Sequence, residues 1–384
     1  MKTLGLIMEV NPLHNGHIYF INKAKELVKP DVTIAVVSTN FSMRGDISVI
    51  SKFDKTRLLL NSGIDIVLEL PYLSSVASSD YFSYNAVKTL VDFGITDLAF
   101  GAECESLETL KELQKLNNAL ANSSIVKENL KKGYSYSTST FKAIKTMTGD
   151  QKLIEEFALP NNTLAIGYLN ALDKLGKEIN VTLVKRIDNN YYDKEAKSTI
   201  SSATSLRELL KMKKDITDYT PYSTNYIDLN ESENNLYKLF QYKMLTTPVE
   251  KLPNFLGVSE GIENRLLSFI NLENYDKFIQ NVESKRYTKT YIRRLVLHIL
   301  LDITKEPQYH DYLRILGFSR EKEKYISGLP KEIKKRIITS PKNSTDILLQ
   351  KELQATKLYG IITSSSLLYL EEYKLPIIKG DENA

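Results

Sequence analysis

Apolar and polar positions follow two periods along the first half of this chain. Residues 4–10 form a near-continuous apolar run closed by Asn11-Pro12, which predicts a strand buried on both faces. Ile18, Phe20, Ile21, Ala24 and Leu27 then recur at helical spacing. Further strands are predicted over 32–37, over 64–70 with Pro71 as the stop, over 97–101 and over 182–186. Helical spacing fills the intervals at 53–61, 79–93, 107–118 and 164–175. Strands alternating with helices predict an α/β fold, a parallel sheet with helices on both faces. Ligands of such sheets bind at the carboxyl ends of the strands, so the turns after them matter most. Past Leu210 the pattern changes. Residues 213–235 are polar, with several tyrosines and Pro221, and read as a linker. From Leu236 the helical period returns (Leu239, Met244; Ile262, Leu266, Ile270; Ile292, Leu295, Ile299). The expected organisation is therefore a nucleotide-handling α/β unit over 1–212, a linker over 213–235, and a mainly α-helical domain over 236–384.

A length of 384 residues accommodates two or three domains with full cores. Hydrophobic residues at 42% and charged residues at 26% are those of an ordinary soluble protein, and no apolar run is long enough to span a membrane. Glu9 interrupts the first apolar run, so no leader is expected there. A single cysteine, Cys104, excludes an internal disulfide and a cysteine-based zinc site, which fits the cytoplasm. A net charge of +4 permits nucleic-acid binding without arguing for it.

Chemistry concentrates first at His14-Asn15-Gly16-His17, where two of the four histidines sit between the first strand and the first helix. A strand, a tight turn and a helix N-terminus together make an anion site, and two imidazoles there can donate to a phosphoryl group as charge develops on it. The turn resembles the His-x-Gly-His signature of nucleotidyltransferases. A glycine turn carrying two surface histidines fits so short a spacing equally well. A second element, Ser201-Ser202-Ala203-Thr204-Ser205-Leu206-Arg207, opens a helix. Its hydroxyls suit plain N-capping, and they equally suit triphosphate oxygens, with Arg207 as a clamp. Other polar residues fall at the expected rim: Asn40 and Arg44 after the second strand, Gly101, Asn161 with Asn162, and Arg186. In the second half Lys285, Arg286, Lys289, Arg293 and Arg294 are interleaved with Tyr287 and Tyr291, and Lys331, Lys334, Lys335 and Arg336 form another basic group. These suit RNA phosphates and unpaired bases, or a solvated helix face.

Taken in order, several segments resemble the tRNA(Met) cytidine acetate ligase family across nearly the whole chain. They are residues 5–17, Asn40-Phe41 with Arg44-Gly45, Glu69-Leu70-Pro71, Phe100-Gly101, Pro160-Asn161-Asn162, Lys185-Arg186, residues 201–207, Val258-Ser259-Glu260-Gly261, Lys285-Arg286-Tyr287-Thr288 and Leu316-Gly317-Phe318. The resemblance implies a Rossmann-like nucleotidyltransferase sheet that activates acetate with ATP to acetyl-adenylate. The acetyl group then passes to N4 of the wobble cytidine of elongator tRNA(Met). It also implies ATP contacts along Ile7-Met8-Glu9-Val10-Asn11-Pro12-Leu13-His14-Asn15-Gly16-His17-Ile18-Tyr19-Phe20, at Gly101, Asn161 and Arg186, and at Ser202 and Thr204. His14, His17 and Arg207 would be catalytic, and Mg²⁺ would accompany the triphosphate. Lys285, Arg286, Arg293, Arg294, Lys334, Lys335 and Arg336 would face tRNA. Phe20 and Tyr192 stand where the family carries histidine, and Val10 and Leu13 replace commoner aromatics. The competing readings are an adenylyl- or cytidylyltransferase acting on a small molecule, and an RNA-binding protein with a vestigial nucleotide fold.

Overall fold

Five parallel strands form one side of a single sheet, out to its edge, in the computed structural model, which describes residues 1–121, 123–186, 201–305, 310–342 and 344–380. They are β1 (Thr3–Met8), β2 (Val32–Ser38), β3 (Ile66–Leu70), β4 (Asp97–Ala102) and β5 (Asn180–Lys185), in the spatial order β5-β4-β1-β2-β3. The strand order reverses between β1 and β4, which opens a crevice at the carboxyl ends of both. Side chains alternate between two core layers. Ala35 and Val37 of β2 join Leu4, Leu6 and Met8 on one face, whereas Val32, Ile34 and Val36 point into the other. Burial on both faces explains why residues 32–37 are almost unbroken in apolarity. The Asn15–Val28 and Lys52–Asn61 helices cover the first layer, and the Ser79–Phe93 and Pro160–Leu175 helices the second.

The fold class is the one expected, with details the spacing did not carry. The second half is mainly helical but also supplies strands. β6 (Leu313–Ser319) pairs antiparallel with β3, and β7 (Ile337–Ile338) and β8 (Ile377–Lys379) pair with β6. The two halves thus share one sheet. The Leu229–Thr246 helix begins inside the expected 213–235 linker, because Asp228 caps it by accepting the Glu231 N–H at 3.1 Å while Leu229 and Leu236 supply a buried face. Three short helices, Ser124–Lys131, Tyr136–Met147 and Gln151–Ala158, fill the crossover from β4 to β5 around a satellite core of Leu120, Val126, Ala143, Ile144 and Ile154.

A buried cluster of charges joins the halves. Lys52 Nζ lies 2.8 Å from Glu69, 2.8 Å from Glu352 and 2.6 Å from Glu372, and Arg314 lies 3.1 Å from Glu69 and 2.6 Å from Glu372. All five side chains are buried. Three carboxylates against two cations leave one surplus negative charge, and burial raises the pKa of Glu352, where a proton relieves that excess. His298 and His310 are structural. Each is buried, with the Tyr72 hydroxyl 3.1 Å from the first and the Ser74 and Thr89 hydroxyls 3.1 and 3.2 Å from the second.

Removing one partner of a buried ionic cluster strands the rest. Lys52→Met should therefore cost about 3–5 kcal/mol in guanidinium unfolding, or prevent folding. Lys23→Met, which breaks an exposed helical pair with Glu26, should leave the midpoint unchanged. Equal midpoints for the two variants would show that the cluster does not hold the halves together.

Candidate active site

β1 stops at Met8 because the chain turns through Val10, at φ +54°, and a cis Asn11-Pro12 bond before the helix starts at Asn15. Two buried groups fix this turn. Asn11 Oδ1 accepts the Val49 N–H at 2.8 Å. Lys55 Nζ donates to the carbonyls of Glu9, Ser38 and Thr39 at 2.9, 3.0 and 2.7 Å, so one ammonium ties the ends of β1 and β2 together. The side chains of Met8, Val10 and Leu13 point into the core, which leaves only their main chain to face a nucleotide. Ile18, Tyr19 and Phe20 are half-buried against the same core.

His14 is the N-cap of the first helix. Its Nδ1 accepts the Gly16 N–H at 3.1 Å, and His17 Nδ1 accepts the His14 N–H at 3.2 Å. A backbone N–H can only donate, so in each neutral ring the proton sits on Nε2. Burial, helped by the charge of Arg186, lowers the pKa of His14 to about 4. Burial first, then His14, Arg186 and Lys55, hold His17 well below its ordinary value. Both rings are neutral at pH 7, 3.9 Å apart between centroids, and each carries an Nε2–H. The expectation that backbone N–H groups of this turn face a phosphate is corrected in part. Those of His14 and Gly16 are taken by ring nitrogens, and the donors this turn offers are the imidazoles they orient.

A second group forms at the ends of β4 and β5. Arg186 Nη1 lies 3.4 Å from Asn161 Oδ1, and a Cβ on Gly101 would meet Arg186 Cγ at 3.4 Å. Sequence reasoning missed Glu103, whose carboxylate accepts the N–H of Asn161 at 3.3 Å and of Asn162 at 2.9 Å, as well as the Asn161 side-chain amide. The asparagines therefore sit in the first turn of the Pro160–Leu175 helix and are held by an acid directly after β4, rather than acting as its cap.

The third group is the 201–207 element. Ser202 caps the Ala203–Lys211 helix by accepting the Ser205 N–H at 3.1 Å, and Thr204 Oγ1 accepts from Arg207 at 3.3 Å. Arg207 Nη1 also donates to Asn11 O at 2.9 Å, which brings this element onto the histidine turn. Arg207 Nη2 lies 3.6 Å from Asp46, whose other oxygen is 2.7 Å from Arg293. Asp46 belongs to the loop after β2, which Glu9 holds by accepting the Met43 N–H at 2.7 Å. Gly45 lets this loop lie on the helix Lys289–Leu300. It has φ +78°, and a Cβ there would sit 2.7 Å from Arg294 N. Tyr192 lies outside the described residues. Among the described residues no cluster of three or more His, Cys, Asp or Glu is placed to hold a metal ion.

The basic residues expected at RNA divide. Lys285 and Arg286 are exposed, the latter paired with Glu260. Arg293 is committed to Asp46, and Arg294 donates to Met43 O at 3.4 Å, so both brace the rim loop. Arg336 binds Asp92 and Asp311 at 2.6 and 2.9 Å. Lys334 and Lys335 are exposed on the same short helix, but Ile333 beside them packs at Gly94, in the turn leading into β4. That rim carries the amino ends of the strands, opposite the histidine turn.

The chain matches the family model described as HIGH Nucleotidyl Transferase over residues 1–372. A tRNA(Met) cytidine acetate ligase of Oceanobacillus iheyensis is 33% identical over 409 residues, covering 98% of this chain and 100% of that protein. The chain belongs to this ligase family. Another member, from Thermosipho africanus, is 34% identical over 370 residues, 91% of this chain and 87% of that protein. Crystal structures of Thermotoga maritima TmcAL share the fold. The apo form has a TM-score of 0.84 at 27% identity, covering 98% of this chain and 99% of that one. The form bound with alpha-thio ATP has a TM-score of 0.83 at 26% identity, covering 99% and 100%.

Two outcomes follow for a family member built this way. Because burial lowers the pKa of both histidines, that of His14 to about 4, ATP–pyrophosphate exchange should show no ionisation near pH 6.5 that belongs to them. Such an inflection, abolished in His17→Asn, would contradict the assignment. Asp46→Asn should raise the KM for ATP about tenfold to a hundredfold by releasing Arg207, at unchanged melting temperature, with partial rescue by Asp46→Glu. A lower melting temperature at unchanged KM would make Asp46 a stitch between the halves and nothing more.

Proposed function

We propose that the chain is an ATP-dependent ligase that makes acetyl-adenylate from acetate and ATP and then acetylates N4 of the wobble cytidine of elongator tRNA(Met). The observation that carries this reading is the convergence of two neutral Nε2–H donors with Arg207, which is hydrogen-bonded to the same turn, and with Arg186, which is close enough to depress both histidines. In the first step an acetate oxygen attacks the α-phosphorus of ATP, the bond to the bridging oxygen breaks, and pyrophosphate leaves. His14 and His17 donate to oxygens on which charge accumulates, and the arginines offset charge on the triphosphate. In the second step the cytidine amine attacks the acetyl carbonyl, AMP leaves with the electron pair, and the amine nitrogen releases a proton. The first step requires no protein nucleophile, so positioning and electrostatics supply the catalysis.

Mg²⁺ is proposed as a companion of the triphosphate, where it would offset charge on the phosphates. No step above runs through it. The tRNA reading rests on Lys285 and Arg286, with Arg293 and Arg294 acting behind them on the rim loop. No helix of the described residues is long and apolar enough to cross a membrane, and we place the enzyme in the cytoplasm with its substrates.

Acetate-dependent exchange of pyrophosphate into ATP tests the reading. Exchange should require acetate and should fall about a hundredfold to a thousandfold in His17→Ala, the usual cost of losing one oriented donor. Exchange supported by a different acceptor and indifferent to acetate would favour the small-molecule nucleotidyltransferase. Near-normal exchange in folded His17→Ala would remove the imidazole from the mechanism.

A further inference from the structure

The charge of this chain is unevenly spread. Residues 123–152 hold six lysines against two carboxylates, Glu128 and Asp150. That excess equals the formal +4 of all 384 residues, so the remainder of the chain is balanced. The segment is the hairpin of the Ser124–Lys131 and Tyr136–Met147 helices, inserted in the crossover between β4 and β5. Its buried apolar side chains, Val126, Ala143 and Ile144, face its own satellite core. Lys131, Lys132, Lys142 and Lys145 are exposed, and among the described residues none of them forms an ion pair. Tyr136, at the start of the second helix, is 49% exposed.

The hairpin turn reaches the second half of the chain. The Ser135 N–H donates to Lys285 O at 3.1 Å, and the ammonium groups of Lys142 and Lys285 lie 4.6 and 6.0 Å from the centre of the Tyr134 ring. Two cations gathered on one tyrosine repel each other, and a polyanion laid across them removes that repulsion. Lys285 leads into the helix whose Arg293 holds Asp46 at the catalytic rim. The lysine surface is thus connected, through one turn and one helix, to the loop beside the nucleotide site.

We propose that the 131–145 hairpin, together with Lys285 and Arg286, is the surface on which the RNA substrate docks, with its lysines on backbone phosphates and Tyr136 offering its ring to an unpaired base. This rests on the proposed function and adds where the RNA sits. Lysine is a flexible point charge and contacts phosphates without reading sequence, so this surface supplies affinity, whereas selection of the cytidine falls to the catalytic rim. Tyrosine among lysines suits single-stranded RNA, which stacks its splayed bases on aromatic rings.

The test uses the full-length protein with K131Q/K132Q/K142Q/K145Q, beside K324Q/K331Q/K334Q/K335Q, which removes equal charge on the opposite rim. Binding of an elongator tRNA(Met) transcript is measured across a range of salt concentrations, and acetate-dependent exchange is measured in parallel. The hairpin variant should bind at least about tenfold more weakly, with a log–log salt slope reduced by about one unit for each lysine on a phosphate. The opposite-rim variant should bind like the unaltered protein, and both should keep full exchange. Unchanged tRNA binding in the hairpin variant would overturn the proposal. Equal weakening in both variants would also overturn it, since net charge alone would then explain the effect. Loss of binding to anionic lipid vesicles with tRNA binding intact would make the hairpin a membrane face instead. Absence of acetate-dependent exchange in the unaltered protein would defeat the proposed function, whereas the tRNA comparison would still decide the surface.

Discussion

Lys52 sits with its ammonium among three carboxylates, Glu69 at the end of β3, Glu352 in the Ile347–Ile362 helix and Glu372 beyond it. Glu69 is its partner within the N-terminal half, and the second half adds Glu352 and Glu372, so separating the halves would strip a buried ammonium of two of its three carboxylates. Arg314, on β6, binds Glu69 and Glu372 and carries the same bond into the sheet. This one cluster explains why the halves share a sheet instead of hanging on a linker. Tyr72 links the cluster to the Lys289–Leu300 helix, its N–H donating to Glu352 and its hydroxyl lying 3.1 Å from His298. From there the dependence runs inward: Gly45 rests on that helix, Asp46 binds its Arg293, Asp46 stands beside Arg207, and Arg207 reaches Asn11 in the histidine turn.

The chemistry we propose depends on donors that are oriented without being charged. An imidazolium at a helix N-terminus would meet a positive dipole end and the nearby charges of Arg186 and Lys55. A neutral ring avoids that conflict, and the backbone N–H groups of His14 and Gly16 decide which nitrogen keeps the proton. Formal positive charge comes from the guanidinium groups of Arg186 and Arg207. In the proposed reaction this division leaves the donors with no reorganisation to make as pyrophosphate departs.

Much of this was legible in the sequence, because period and punctuation report burial directly. The five parallel strands, the histidine turn and the 201–207 element all fall where spacing and stop residues place them. What escaped was decided by distant partners. Lys52 and Lys55 look like the solvated stripe of a helix, yet both are buried, one by carboxylates up to 320 positions downstream and the other by three carbonyls. Glu103 and Asp46 carry no local mark, since their value lies in holding Asn161 and Arg207. Arg293 and Arg336 read as RNA contacts by charge alone and proved to be braces, because a carboxylate far away in sequence waits for each. β6 was hidden because Leu313–Ser319 lies among helices and pairs with a strand from the other half.

Nitrogen-15 NMR of the two turn imidazoles, in the full-length protein at pH 7, tests most directly whether catalysis here rests on neutral, oriented donors. The structure requires His14 and His17 each to show one protonated nitrogen, Nε2, and one unprotonated acceptor, Nδ1. A protonated Nδ1 in either ring, or an imidazolium signal at pH 7, would contradict it.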